Sequence, residues 1–302
     1  MPTIRNLWPY PVNFELTQLE RQASRLGHLP GYCCVCGRAT VFQIDTDLRE
    51  RVPCLRCGSV NRQRQLATVL LEYAHTIAAP RRPLSIGDIA KETIIWNAET
   101  TRALHRRLSE HLGSNYLSSE FISADLSSGT VVDGVLHVDM QHTHFGDDSL
   151  DFILSSDVLE HVPNPILAFE ESYRILKYGG CHIFTAPFYE HRFTNERRAV
   201  VNAEGQLTHL RRPWYHGDPI HEEGALVYNV FAPEVMCQLE HMGFEARLCR
   251  LRAPFRGMLG WNGIVMVARK VAEPSHKRDG VFPDDTDWVG EDASPGSGMA
   301  LA

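Results

Sequence analysis

Cys33-x2-Cys36 and Cys54-x2-Cys57, each followed directly by glycine, constrain the fold of this chain more than any other feature of it. A CxxC turn aims two thiolates at one point while its backbone N–H groups hydrogen-bond the sulfurs, and Gly37 and Gly58 relax the chain just beyond. Two matched turns suit one tetrahedral zinc held by Cys33, Cys36, Cys54 and Cys57. Four thiolates leave no open coordination position, so the metal expected there is structural. A pair of disulfides or redox dithiols is the competing reading, and a reducing compartment disfavours it. Cys34 is a spare beside the first pair. Cys181, Cys237 and Cys249 are scattered and read as small buried apolar residues.

The rest of the composition is that of a soluble globular protein: 302 residues, 43% apolar and 22% charged. A chain of this length buries a substantial core without disulfides. Its formal net charge of −7 provides no global field for nucleic acid or an anionic membrane. No apolar run reaches the roughly 20 residues that span a bilayer. The opening "MPTIRNLWPYPVNFELTQ" is a poor secretory signal, so the expected location is the cytoplasm.

Residues 1–30 read as an arm in which "FELTQLERQASRLG" has helical spacing. Residues 31–80 hold the cysteine module and a connecting helix, "NRQRQLATVLLEYAHTI", with Leu66, Val69, Leu70 and Tyr73 on one face. Arg56, Arg62 and Arg64 in this region could hold a phosphate, but the acidic net charge favours a solvated helix face. "AAPRRP" is a linker. From residue 84 strands and helices alternate: "LSIGDIA" as a strand, "AETTRALHRRLSEHL" as a helix, then "NYLSSEFI", "GVLHVDM" and "LDFILSS" as strands. "NPILAFEESYRILK" is a helix with Asn164 as N-cap and Pro165 at its first position, ended by Gly179-Gly180. "CHIFTAPF" is the next strand. "APEVMCQLEHMGF" is a last helix, and "EARLCRLR" with "NGIVMVARK" forms a terminal strand pair. The succession implies a mostly parallel sheet covered on both faces, spanning residues 81–270. Residues 271–302 read as a disordered acidic tail. Asp284, Asp285 and Asp287 there lack the spacing and glycine of a calcium loop.

"FGDDSLDFILSSDVLEHVPNPILAFEESYRILKYGGCHIFTAPF" closely resembles the second half of class I S-adenosylmethionine-dependent methyltransferases, in which an acidic lead-in precedes the fourth strand and "DVLEHV" follows it. The cysteine module ahead of this core is similar to that of a subgroup with an N-terminal zinc module. Much of that subgroup replaces the glycine-rich first loop by a short A-x-E segment, and "NAET", residues 97–100, stands at about that place. The resemblance implies an α/β architecture: a Rossmann-like seven-stranded methyltransferase sheet preceded by a small zinc-ribbon-like module.

The cofactor so implied, S-adenosylmethionine, has no pyrophosphate and needs no glycine-crowded helix N-terminus. It needs an open strand end for its methionine part, a carboxylate for the ribose hydroxyls and an apolar slot for adenine. The expected contacts are Gly87 and Asp88 at the end of the first strand, Glu120 for the ribose, Asp139 and Met140 at the adenine edge, and Ser156 and Asp157 beside the sulfonium. All are placed at carboxyl ends of strands, where open parallel sheets bind ligands. Each has a blander reading: Glu120 as a surface acid, Asp139 as a turn cap, Asp151 as a residue ordering the entry to the fourth strand.

Residues 189–229 read as a substrate-side insertion carrying His191, Arg192, His209, Arg212, Trp214, Tyr215, His216, Asp218 and His221, in which "WYHGDP" looks like a motif of the same subgroup. His216 is the candidate general base and His161 in "LEHV" a second one, against a structural hydrogen bond for the latter. A metal on His216, Asp218 and His221 is the minor alternative. Three functions follow: a methyltransferase acting on a small-molecule or carbohydrate acceptor; an RNA methyltransferase that reads nucleic acid through the zinc module, which the acidic charge disfavours; or a non-catalytic interaction protein.

Overall fold

The computed structural model describes residues 5–6, 17–44, 48, 52–78, 83–202, 204–217, 224–260, 263–271 and 273. The expected acidic tail, apart from Val271 and Glu273, lies outside the described residues, as do Asp218, His221 and most of residues 1–16.

The strands are β1 (Arg5–Asn6), β2 (His28–Cys33), β3 (Arg38–Gln43), β4 (Ile95–Asn97), β5 (Tyr116–Ser118), β6 (Leu150–Ser156), β7 (Leu176–Thr185), β8 (Phe244–Arg250) and β9 (Ile264–Lys270). The helices are α1 (Gln18–Leu26), α2 (Asn61–Ala78), α3 (Arg102–Leu112), α4 (Pro165–Ile175) and α5 (Glu234–His241). Six strands build the central mixed sheet in the order β8-β9-β7-β6-β4-β5. β5, β4, β6 and β7 run parallel, while β9 is antiparallel to both its neighbours. The two residues of β1 add an antiparallel edge against Arg250 and Cys249.

Alternating side chains send the sheet into two cores, as strand geometry requires. Ile95, Phe152, Leu154, Ile183 and Val267 pack with Leu66, Val69 and Leu70 of α2 and Leu104 and Leu108 of α3. The same cluster takes in Cys33, Cys34, Phe42 and Cys54, so the cysteine hairpin and the sheet share one core. On the other face Trp96, Ile153, Phe184 and Met266 meet Phe169 of α4 and Val235 and Leu239 of α5. Asn164 caps α4 as expected, its side chain accepting from the Ile166 N–H at 3.2 Å.

Four expectations need correction. The first sheet strand is Ile95–Asn97; "LSIGDIA" instead holds a 3-10 turn, Ile86–Asp88. The Asp88 carboxylate accepts from the Leu84 and Ser85 N–H groups and the Ser85 hydroxyl at 3.0, 2.9 and 3.1 Å, which winds the segment. Ile86 and Ile89 are buried against the hairpin and α3, not in the sheet. Gly87 and Asp88 therefore do not end a strand. The second correction concerns "GVLHVDM". It forms a two-residue ladder between Val131–Val132 and Val135–Leu136, with turn residues Asp133 and Gly134 at φ 49° and 82°, and one parallel bridge from His137 to Glu120. The chain reverses before a full strand can pair with β5. Third, α4 ends at Ile175, and Gly179 and Gly180 lie within β7. A Cβ on Gly180 would stand 2.9 Å from the Asp151 carbonyl oxygen, so the close approach to β6 requires the glycine. Fourth, Arg62 and Arg64 are buried, not solvated.

Candidate active site

The carboxyl ends of β4, β5 and β6 lie side by side, and three carboxylates gather there. Glu99 follows β4 by two residues, Glu120 follows β5 by two, and Asp157 directly follows β6. Glu120 Oε1 accepts from the Thr100 N–H at 2.7 Å and the Thr100 hydroxyl at 2.8 Å, tying the tip of β5 to the loop after β4. Ser119 adds a second tie by accepting from the Trp96 indole N–H at 2.9 Å. Glu99 was read from sequence only as part of "NAET" and not as a site residue. Burial pushes its carboxyl up to about 7; Arg62 and Arg102 oppose this and Glu120 and Asp157 reinforce it. The end of the sheet therefore gathers three carboxylates, one of them strongly desolvated, with Arg62 and Arg102 beside them.

Asp157 adopts φ 55°, a left-handed backbone that aspartate tolerates better than most residues. Three contacts hold it: its N–H donates to the Thr185 carbonyl at 2.9 Å, the Thr185 hydroxyl donates to Oδ1 at 2.9 Å, and Arg62 lies 3.2 Å from Oδ2. Arg62 also donates to the Ser156 hydroxyl. This arginine comes from the first turn of α2, which contains no acid. Cations are disfavoured at a helix N-terminus unless anions face them. Asp157 is that partner for Arg62. Arg64, two residues on, donates to the carbonyls of Ser59, Val52 and Gly257 and stacks 4.5 Å from the Phe42 ring centroid.

The structure distributes the other expected contacts differently. Asp139 Oδ1 accepts from the Gln141 N–H at 2.9 Å, making the turn cap of the bland reading, and Met140 packs in the core beneath. Gly87 and Asp88 stand against the hairpin and Arg107, where the Ile86 N–H meets the Cys34 carbonyl at 3.0 Å.

The two candidate bases come together. The 3-10 turn Leu159–His161 follows Asp157, and the described residues between 196 and 230 lie over it as one two-strand ladder, 196–197 with 229–230, enclosing two more, 199–201 with 207–209 and 215–216 with 225–226. Backbone and side-chain hydrogen bonds fix the overlay: the Tyr228 N–H donates to the Glu160 carbonyl at 2.8 Å and Asn229 Nδ2 to the Val162 carbonyl at 2.9 Å. His161 Nε2 and His216 Nδ1 then lie 3.7 and 3.4 Å from one oxygen of Glu160, whose side chain is fully buried. The His216 ring stands edge-on to Trp214 and to His161. Nothing local in the sequence pairs positions 161 and 216; the ladders do it.

Just before the start of α2, Cys33, Cys36, Cys54 and Cys57 bring their four sulfurs within 4.8 Å of one another. The knuckles match: Gly37 N–H donates to the Cys33 carbonyl and Gly58 N–H to that of Cys54, both at 2.8 Å, with φ 69° and 77°. Thr40 Oγ1 lies 3.3 Å from Cys54 Sγ, and Ser59 Oγ lies 3.2 Å from Cys33 Sγ. Burial pushes the Cys36 thiol up to about 11; Cys33, donating to Cys54 and Cys57 and buried, is pushed higher still, while Cys54, which accepts, is pushed down. Four thiolates therefore need a cation among them. Cys34 points away, to the Arg64 carbonyl and Thr68.

Residues 97–184, which run from the end of β4 to that of β7, match the sequence profile of a family described as methyltransferase domain. This part of the chain is similar to a methyltransferase domain. Its span contains Glu99, Glu120, Asp157, Glu160 and His161, whereas the hairpin, Arg62 and His216 lie outside it. Similar solved structures include a S-adenosylmethionine-dependent methyltransferase from Mesorhizobium loti, 16% identical over 59% of this chain and 91% of that one, with a TM-score of 0.36. SAM-dependent methyltransferases from Methanosarcina mazei (17%, 61% and 95%, TM-score 0.34) and Aquifex aeolicus (14%, 68% and 87%, TM-score 0.35) are others. No curated protein matches the chain. Among the described residues no helix is long and apolar enough to cross a membrane.

Proposed function

We propose that this chain transfers a methyl group from S-adenosylmethionine to a hydroxyl-bearing small molecule or carbohydrate, with a structural zinc bracing its N-terminal module. The observation that carries the reading is the rim of Glu99, Glu120 and Asp157 on three adjacent parallel strand tips. A donor with a sulfonium and an ammonium adds positive charge to three carboxylates that are met by only Arg62 and Arg102 among the groups acting on Glu99. Glu120, with one oxygen on Thr100, has a second for ribose hydroxyls. Asp139 and Met140, just past the bridge to Glu120, stand on the adenine side. Ser156 and Asp157, pinned by Arg62 and Thr185, border the sulfonium.

When bound, the donor supplies a methyl carbon already activated for attack, so the chain's own task is mainly positioning. The ladders at 196–230 cover that end of the sheet and suit an acceptor lid. His161 and His216, brought together on Glu160, are the groups placed to engage an acceptor hydroxyl. The RNA reading loses support because two of the three arginines that might have met a phosphate backbone, Arg62 and Arg64, are consumed inside the fold, leaving Arg56 exposed. The cysteine cluster matches the charge and ligand number of tetrahedral zinc.

Calorimetry with S-adenosylmethionine on zinc-loaded protein tests the reading. Saturable one-site binding that weakens on Glu120→Gln is expected. No detectable binding by folded protein would remove the enzyme hypothesis. A shift of structured RNA at physiological salt would replace the small acceptor by nucleic acid.

A further inference from the structure

Glu160, His161 and His216 form the second group of converging donors among the described residues, and it is separate from the cysteines. The His161 Nδ1 atom lies 2.8 Å from the Leu226 carbonyl oxygen. A carbonyl only accepts, so Nδ1 carries the hydrogen, and in the neutral ring Nε2 presents a lone pair. That lone pair faces the Glu160 carboxylate oxygen at 3.7 Å, and His216 Nδ1 approaches the same oxygen at 3.4 Å. Both separations exceed the roughly 2.7–3.2 Å of a good N–H···O bond. They are close to the spacing of neighbouring ligands around one cation, about 3.0–3.4 Å when each metal bond is about 2.1 Å. An imidazole that donates its other N–H to a backbone carbonyl is the usual support of a metal-binding histidine. The Glu160 side chain is fully buried, so the three groups converge away from bulk solvent.

We propose that Glu160 Oε1, His161 Nε2 and His216 Nδ1 hold one divalent first-row cation, such as Mn²⁺, Co²⁺ or Zn²⁺, that binds the acceptor hydroxyl beside the methyl donor. The proposal rests on the methyltransferase reading and deepens it. One carboxylate and two imidazoles suit this class of ion, and three protein ligands leave coordination positions open, unlike the closed four-cysteine set. The site begins three residues beyond Asp157, so an acceptor oxygen held there lies on the donor side of the sheet. The cation lowers the hydroxyl pKa, and the proton leaves to solvent. An oxygen lone pair then forms the O–CH3 bond, while the S–CH3 bonding pair returns to sulfur, leaving a neutral thioether. The ion acts as a Lewis acid and exchanges no electron.

The test uses the full chain with its cysteines zinc-loaded, titrated with Mn²⁺ and followed by electron paramagnetic resonance. One Mn²⁺ per chain is expected, weakened roughly 100-fold or more in His216→Ala and His161→Ala. In the same preparations calorimetry reads donor binding, which both variants retain. That retention shows the fold intact and separates this proposal from the methyltransferase reading. Two results overturn it: no Mn²⁺, Co²⁺ or Zn²⁺ bound beyond the cysteine zinc while the donor still binds, or binding that both histidine variants leave unchanged.

Discussion

Glu99→Gln separates the binding role of the acidic rim from its cost to the fold. The Glu99 carboxyl is pushed from the usual 4.5 up to about 7, first by burial and then by Glu120 and Asp157. In the free protein the folded state thus holds a proton between pH 4.5 and 7 that the unfolded chain has released. Stability is greatest below 4.5 and falls as pH rises through 7, by at most ~3 kcal/mol. A neutral amide of the same shape escapes that penalty, so the variant is expected to melt higher than wild type at pH 8 and nearly level with it at pH 5. Donor binding responds in the opposite sense. A bound cation returns Glu99 toward its ordinary range and so expels the proton held below pH 7. Each pH unit below 7 then costs about 1.4 kcal/mol, and wild-type affinity falls roughly tenfold from pH 8 to pH 6. At pH 6.5 calorimetry in buffers of different ionisation enthalpy should show release of about three quarters of a proton. The donor's own amine titrates nearby, but equally for both proteins, so the difference between them isolates Glu99. Parallel pH profiles for wild type and Glu99→Gln would refute the placement of the donor's charge at this rim.

Two further outcomes are expected. His182 is fully buried between Ser155 and Ser172, at 2.9 and 3.1 Å, and burial pushes it down to about 3, so it stays neutral while the unfolded chain protonates near 6.5. Stability should therefore fall by up to about 1.4 kcal/mol per pH unit below 6.5, and denaturant melts of His182→Gln should show a shallower acid limb; an unchanged limb would contradict the burial. Cys54→Ser is expected to reduce zinc from about one atom per chain to none and to loosen donor binding as well, because the knuckle sets the start of α2 and with it Arg62; metal analysis and calorimetry on the same sample check both.

Much of the sheet was legible because its longer strands carry their own pattern. "LDFILSS" is a buried run between turn signals, and "EARLCRLR" and "NGIVMVARK" read as a pair; both became strands. The first strand was misplaced because β4 is only three residues long, and the longer apolar run "LSIGDIA" next to it looked the better candidate. A local signal did exist: Ser85-x-x-Asp88 is a capping pattern, and it winds the segment into a turn. The strand-end position of the expected cofactor contacts was readable wherever a strand end could be read, as at Glu120, Ser156 and Asp157. It failed at Gly87 and Asp88 for the same reason that the strand did. Glu99 was within reach through "NAET", since an acid two residues past a parallel strand occupies the ligand end of a sheet.

Arg62 and the pair of His161 with His216 were beyond sequence reasoning for a deeper reason: each depends on two elements meeting. Arg62 sits in a helix that the cysteine knuckle starts, yet its partners Ser156 and Asp157 belong to a strand tip more than ninety residues later. Its one trace in the sequence is an arginine pair at a helix start without an acid, an arrangement that the helix dipole opposes unless outside anions answer it. The cysteine hairpin and the strand tip at Asp157 are thus tied together through Arg62. The fourth-strand tip, with Asp157 in a left-handed conformation, is held on one side by Thr185 of β7 and on the other by an arginine that the hairpin delivers. A domain ending at the family boundary would keep all three rim carboxylates and lose this cation. Without Arg62, Glu99 and Asp157 would repel more strongly, and the Glu99 carboxyl would rise above 7 into the range where it stays protonated at neutral pH. Under the proposed function the hairpin's contribution is therefore electrostatic: Arg62 opposes the protonation of Glu99 and so keeps the acidic rim better able to receive a cationic donor.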